Sequence, residues 1–192
     1  QSGERRIEVI HEAEPQMIMG YHKPPPPEFE DYVFDVIESI LTRGRTSRLF
    51  KKLVDEGRIA ENIQAVNGLP GARYPNQFTL MATPRYPHSC DELEQAIEQA
   101  IEQLKHEPVP VSELDKVKNQ VRADFIRGLN SNAGLASMLS YYEALLGDFQ
   151  YIVDYTDNIA RITPEDIIRV AKKYLTRGNR TVATLTNGRL KP

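Results

Sequence analysis

Four histidines (His11, His22, His88 and His106) and one cysteine (Cys90) are the side chains on which metal or nucleophilic chemistry could rest. A helical zinc-peptidase motif needs two histidines four residues apart with a glutamate between them. No pair has that spacing, so neither H-E-x-x-H nor the inverted H-x-x-E-H is present. His11 and His22 could face each other across the first two strands, but two imidazoles without a third ligand make a structural role the expectation. Cys90 falls in the first turn of a helix, where the macrodipole would lower its pKa somewhat. His88 is the one histidine near it in sequence, and no catalytic role is expected for the thiol. No G-x-S-x-G, P-loop or G-x-G-x-x-G sequence occurs. The residues by themselves point to no catalytic and no metal site.

Charge is arranged in blocks. Asp91 to Glu107 carries six acids against one lysine, and Arg169 to Lys191 carries seven basic residues and no acid. Such blocks form either solvated helix faces or oppositely charged surfaces that dock, within one molecule or across an interface. Arg45 and Arg48 open another basic stretch, and a helix start there could bind an anion. The chain as a whole is balanced, with 24 Lys and Arg against 27 Asp and Glu. That balance argues against nucleic-acid binding. At 192 residues and 40% hydrophobic, the chain is long enough for one domain spanning 1–192 with a core that needs no staple. One cysteine excludes an internal disulfide framework and is compatible with cytoplasm or periplasm. No apolar run approaches the length of a membrane span. Gln1 is not an initiator methionine and no secretory signal follows it, so a fragment or processed product is expected.

The elements that would position these residues follow from periodicity and breakers. Arg6–His11 and Gln16–His22 read as strands, stopped by the prolines from Pro24 to Pro27. Val33, Val36, Ile37, Ile40 and Leu41 share one helical face, ending near Gly44. A second short helix carries Leu49, Phe50, Leu53 and Val54 and stops at Gly57. Ile59–Asn67 and Phe78–Ala82 are strands around the turn Gly68-Leu69-Pro70-Gly71. Ser89 and Glu92 form a capping box for a helix with Leu93, Ile97, Ala100, Ile101 and Leu104 inward. A helix from Ser112 places Leu114, Val117, Val121, Phe125, Ile126 and Leu129 inward, and another spans about Asn132 to Leu146. Thr163-Pro164-Glu165-Asp166 starts a helix running to about Leu175, and Thr181–Leu185 closes as a strand. The order β-β-α-α-β-β-α-α-α-α-α-β predicts an α+β fold, a mainly antiparallel sheet with helices on one face.

The stretch GRTSRLFKKLVDEGRIAENIQAVNG (Gly44 to Gly68) resembles the pitrilysin/insulinase family of zinc metallopeptidases, which includes the mitochondrial processing peptidases. Met19-Gly20-Tyr21-His22-Lys23-Pro24, Leu114-Asp115-Lys116-Val117-Lys118-Asn119-Gln120 and Ile162-Thr163-Pro164-Glu165-Asp166 are similar to its other segments, in order along nearly the whole chain. Members of that family build a peptidase from two similar halves that enclose a peptide, with zinc held by H-x-x-E-H and a downstream glutamate in the first. The resemblance is to the second, non-catalytic half. It implies a two-layer processing-peptidase-like fold, no cofactor in this chain, and zinc in a partner half. It also implies an N-terminal zinc-bearing domain, of the same or another chain, and a peptide substrate as partners, with a homodimer or heterodimer possible.

Active members place an arginine in the basic helix and a tyrosine seven residues on, toward the substrate backbone and oxyanion. Alignment on Leu53 and Gly57-Arg58-Ile59-Ala60 puts those positions at Val54 and Glu61. Valine donates no hydrogen bond, and glutamate would repel an oxyanion. Arg58 is the nearest substitute donor, while Arg48 matches an arginine read as structural. Arg58, Glu61 and Asn62 are the expected peptide contacts, on a strand whose edge could accept an extended peptide. The alternatives are a pseudo-peptidase scaffold with no peptidase role and a small enzyme using Arg45 and Arg48 to bind an anion.

Overall fold

A computed structural model describes residues 3–187. Five strands form one sheet: β1 (Arg5–Ile10), β2 (Gln16–Lys23), β3 (Ala60–Leu69), β4 (Asn76–Pro84) and β5 (Arg180–Thr186). Their spatial order is β1-β5-β2-β4-β3. The β5–β2, β2–β4 and β4–β3 pairs are antiparallel, and β1 pairs with β5 in parallel. The expected α+β architecture is therefore present. One expectation is corrected: β5 inserts between the first two strands, so His11 and His22 do not face each other. His11 lies past β1, where its backbone N–H donates to the Thr186 carbonyl at 3.1 Å.

Strand alternation sorts the sheet into two faces. Met17, Met19 and Tyr21 of β2, Phe78, Leu80 and Ala82 of β4, and Ile63 and Ala65 of β3 are buried under helices. The opposite face carries Ile18, Gln64, Val66, Met81 and Ala183, all exposed or half-exposed, and no described helix covers it.

Helix α1 (Phe29–Thr42) crosses the covered face and is itself overlaid by α3 (Val111–Gly128), α5 (Gln150–Arg161) and α6 (Pro164–Tyr174). That sandwiching explains why Tyr32 and Phe34 are buried alongside the expected stripe of Val33, Val36, Ile37, Ile40 and Leu41. Each such side chain contributes roughly 1.5–3 kcal/mol by leaving water. Phe34 also meets Phe78 of the sheet, ring centres 5.2 Å apart. Helix α2 (Cys90–His106) begins with the expected capping box, Glu92 N–H donating to Ser89 Oγ and Ser89 N–H donating to Glu92 Oε2. Helix α6 begins with another, between Thr163 and Asp166.

Two helical segments depart from expectation. Ile126, expected inward, is exposed, and α4 (Asn132–Leu146) has no fully buried side chain. The segment Phe50–Glu56 is wound as a π-helix, its last backbone bond running from Gly57 N–H to the Lys52 carbonyl at 3.0 Å. A Cβ at Gly57 would lie 2.5 Å from that carbonyl oxygen, so only glycine closes this turn.

Candidate functional site

Strand β3 is one edge of the sheet, and the expected peptide contacts lie where the π-helical segment runs into it. Arg58 joins the two with φ +51°, the left-handed region that costs an L-residue roughly 1–2 kcal/mol. Bonds of its neighbours hold it there: Gly57 N–H donates to the Lys52 carbonyl at 3.0 Å and Ile59 N–H to the Leu53 carbonyl at 2.9 Å. Its side chain is exposed.

The register skips between Ala60 and Asn62, leaving Glu61 on a bulge. Glu61 Oε1 accepts from Arg85 Nε at 2.9 Å, and Asn62 Nδ2 donates to Thr83 Oγ1 at 3.3 Å. Arg58, Glu61 and Asn62 thus share one corner of the edge. Val54, half-buried, packs on the core, so the two positions that the resemblance assigns to backbone and oxyanion binding offer a methyl surface and an ion-paired carboxylate.

The edge is open over only part of its length. Further along, α1 reaches over it: Ala65 N–H donates to Thr42 Oγ1 at 3.0 Å and Asn67 N–H to Glu38 Oε2 at 2.9 Å. Burial pushes the Glu38 carboxyl up while its bond from Asn67 opposes the shift. Strand alternation turns Ile63 N–H the same outward way, but no α1 side chain is seen to cap it. The stretch of β3 without an α1 cap is therefore the Ala60–Ile63 end, where Glu61 and Asn62 are exposed.

The other sequence candidates settle into structural roles. Arg48 forms a two-point ion pair with Glu113 of α3, Nε–Oε1 2.9 Å and Nη2–Oε2 2.7 Å, which leaves little of its guanidinium for an anion. Cys90 is buried, and burial followed by the Asp91 charge raises its thiol pKa, the reverse of the expected lowering. His88 pairs with Glu92 at 3.0 Å. The acidic and basic blocks dock within the molecule, Glu98 of α2 with Arg177 at 2.8 Å and Glu94 with Arg180 at 2.8 Å; Arg189 and Lys191 lie outside the described residues. Among the described residues no group of three or more His, Cys, Asp or Glu side chains is placed to hold a metal ion. No described helix is long and apolar enough to cross a membrane.

Sequence reasoning missed one cluster. Asp31 and Asp35 of α1 lie beneath Tyr142, Tyr151 and Tyr155 and line a cavity of about 270 Å³. The i, i+4 spacing of the two aspartates was visible, but nothing local marked them as buried under aromatic rings from α4 and α5.

Solved structures place this architecture among peptidase halves. A protease from Helicobacter pylori superposes with a TM-score of 0.90 at 26% identity, over 97% of this chain and 45% of that one. An inactive peptidase domain from Bordetella parapertussis gives a TM-score of 0.80 at 21% identity, over 94% of this chain and 97% of that one, a likeness of fold. The chain belongs to the peptidase M16 inactive-domain family, whose model matches residues 1–121. A zinc protease of Helicobacter pylori (strain ATCC 700392 / 26695), PqqE, is 28% identical over 156 residues, 81% of this chain and 34% of that protein. The chain thus spans about a third of that relative and under half of the superposed protease.

Proposed function

We propose that this domain encloses and positions an extended peptide for hydrolysis by a separate zinc-bearing half, N-terminal to it or on another chain. The observation that carries this reading is the Ala60–Ile63 end of the β3 edge, uncapped by α1, with Arg58, Glu61 and Asn62 exposed beside it. A peptide pairing there would take the outward Ile63 N–H on its own carbonyl and lay alternate side chains against the uncovered face, near Gln64 and Met81. Arg58 would donate to a peptide carbonyl. Glu61 would not stabilise an oxyanion, so this half contributes position rather than charge. Bond breaking would belong to the partner half, whose bound zinc would supply Lewis-acid chemistry.

Val54 and Glu61 favour a second reading, a pseudo-peptidase scaffold that closes an assembly without binding substrate. A fluorescent, extended eight-residue peptide and its copy N-methylated at alternate residues separate the two. Weak binding that N-methylation abolishes supports strand pairing. Equal binding of the two peptides, or of neither, supports the scaffold.

A further inference from the structure

At the opposite end of β3 from that edge, the missed cavity has the chemistry of a binding site. Its floor is acceptor-rich. Asp35 accepts from Tyr155 Oη on Oδ2 and from Asn67 Nδ2 on Oδ1, both at 2.8 Å. The same Asn67 amide lies 3.4 Å from Asp31 Oδ1, and Asp31 is ion-paired to Lys23. Lys23 thus pairs with Asp31, while the hydrogen-bond donors to Asp35, Asn67 and Tyr155, are neutral. Asn67 Oδ1 is buried without a donor.

The walls are aromatic. Tyr142 stacks on Tyr151 with ring centres 4.3 Å apart, and Phe125 stacks on Tyr155 at 4.0 Å. Aromatic faces attract cations, most strongly where water is excluded. A buried acceptor with no donor, an uncompensated carboxylate and ring faces together call for a positively charged donor. The volume of about 270 Å³ suits a single side chain rather than a drug-sized molecule.

We propose that this cavity binds a guanidinium or alkylammonium group, its N–H groups donating to Asp35 and Asn67 Oδ1 and its plane or methylenes lying against Tyr142. Desolvation and the Asp31 charge raise the Asp35 carboxyl to about 7, as expected of a carboxylate lacking its cation. The other groups that set its charge are Lys23 on β2, Glu38 on α1, Tyr142 on α4 and Tyr151 and Tyr155 on α5, whose phenols burial shifts upward. Bound cation competes with the proton, so affinity falls as pH drops from 8 to 6.

The protein has no tryptophan, and four of its nine tyrosines line the cavity, so tyrosine fluorescence reports binding directly. The probes are n-butylguanidinium, the tripeptide acetyl-Ala-Arg-Ala-amide, and its neutral citrulline isostere. Saturable binding of either cation in about the millimolar range, absent for citrulline and weaker at pH 6 than at pH 8, is the expected result. A stronger response to the tripeptide identifies a basic side chain of a polypeptide as the ligand, and a stronger response to butylguanidinium a free small cation. Asp35→Asn should weaken binding at least about tenfold. Tyr142→Ala, which removes a ring of the cavity wall, should do the same. Binding of citrulline as tight as arginine, no saturation by either cation, or undiminished binding in Tyr142→Ala would overturn the assignment.

Discussion

Arg180 of β5 and Glu94 of α2 meet at 2.8 Å with side chains only 2% and 8% exposed. Glu4 approaches the same guanidinium at 3.2 Å, and Arg6 binds the other oxygen of Glu94 at 2.5 Å. The strand that inserts between β1 and β2 is thereby tied to the helix lying across it. Removing Arg180 leaves the buried Glu94 with Arg6 as its remaining cation, a cost of about 3 kcal/mol, the low end for a broken buried pair. Arg180→Leu should lower unfolding free energy by about that amount in urea titration, far more than Arg177→Leu at the exposed pair with Glu98.

Stability should depend on pH through Asp35. An acid raised to about 7 by folding binds its proton in the folded state where the unfolded chain, near 3.9, has lost it. Between those limits the unfolded state binds fewer protons, so this group makes stability fall as pH rises. Asp35→Asn removes the effect. The difference in unfolding free energy, variant minus wild type, should grow from pH 4 to pH 7 and level off above; a difference flat across that range would contradict the assignment.

Arg58 separates stability from function. Glycine adopts a φ of +51° without the side-chain penalty but loses more chain entropy on folding. Arg58→Gly should therefore raise stability by roughly 1 kcal/mol or less, while weakening peptide binding at the β3 edge. A variant both more stable and undiminished in peptide binding would remove Arg58 from the contact surface.

Thr42 guards the same edge further along. Thr42→Val keeps the shape and removes the acceptor for Ala65 N–H, a loss of about 1–3 kcal/mol if no other group takes its place. The freed strand should also pair with a second copy. Sedimentation velocity should show concentration-dependent association in Thr42→Val and a smaller sedimentation coefficient for wild type at equal concentration.

Helix starts and inward faces were legible because they depend on residues three or four positions apart. Ser89 with Glu92, Thr163 with Asp166, and the Leu93-to-Leu104 face needed only the period of a helix and the chemistry of its unpaired N–H groups. The family segment from Gly44 to Gly68 was readable for the same reason, being contiguous. The failures share a cause too. Ile126 has the spacing of a core residue, but spacing does not say whether another helix arrives to cover it.

What the sequence determined alone was the set of elements, their α+β class and the absence of the H-x-x-E-H spacing. The tertiary structure decided the rest. Strand β5 pairs between β1 and β2 through contacts about 165–175 residues distant in sequence, as between Gln16 and Leu185 or Arg5 and Thr181. Strand β3 is capped at Ala65 and Asn67 because Thr42 and Glu38 of α1 end up beside it. Asp35 meets Tyr155 across 120 positions, and its carboxyl is shifted by that surrounding. Pairing, capping and desolvation act through space, and local spacing along the chain carries no record of which distant groups will supply them.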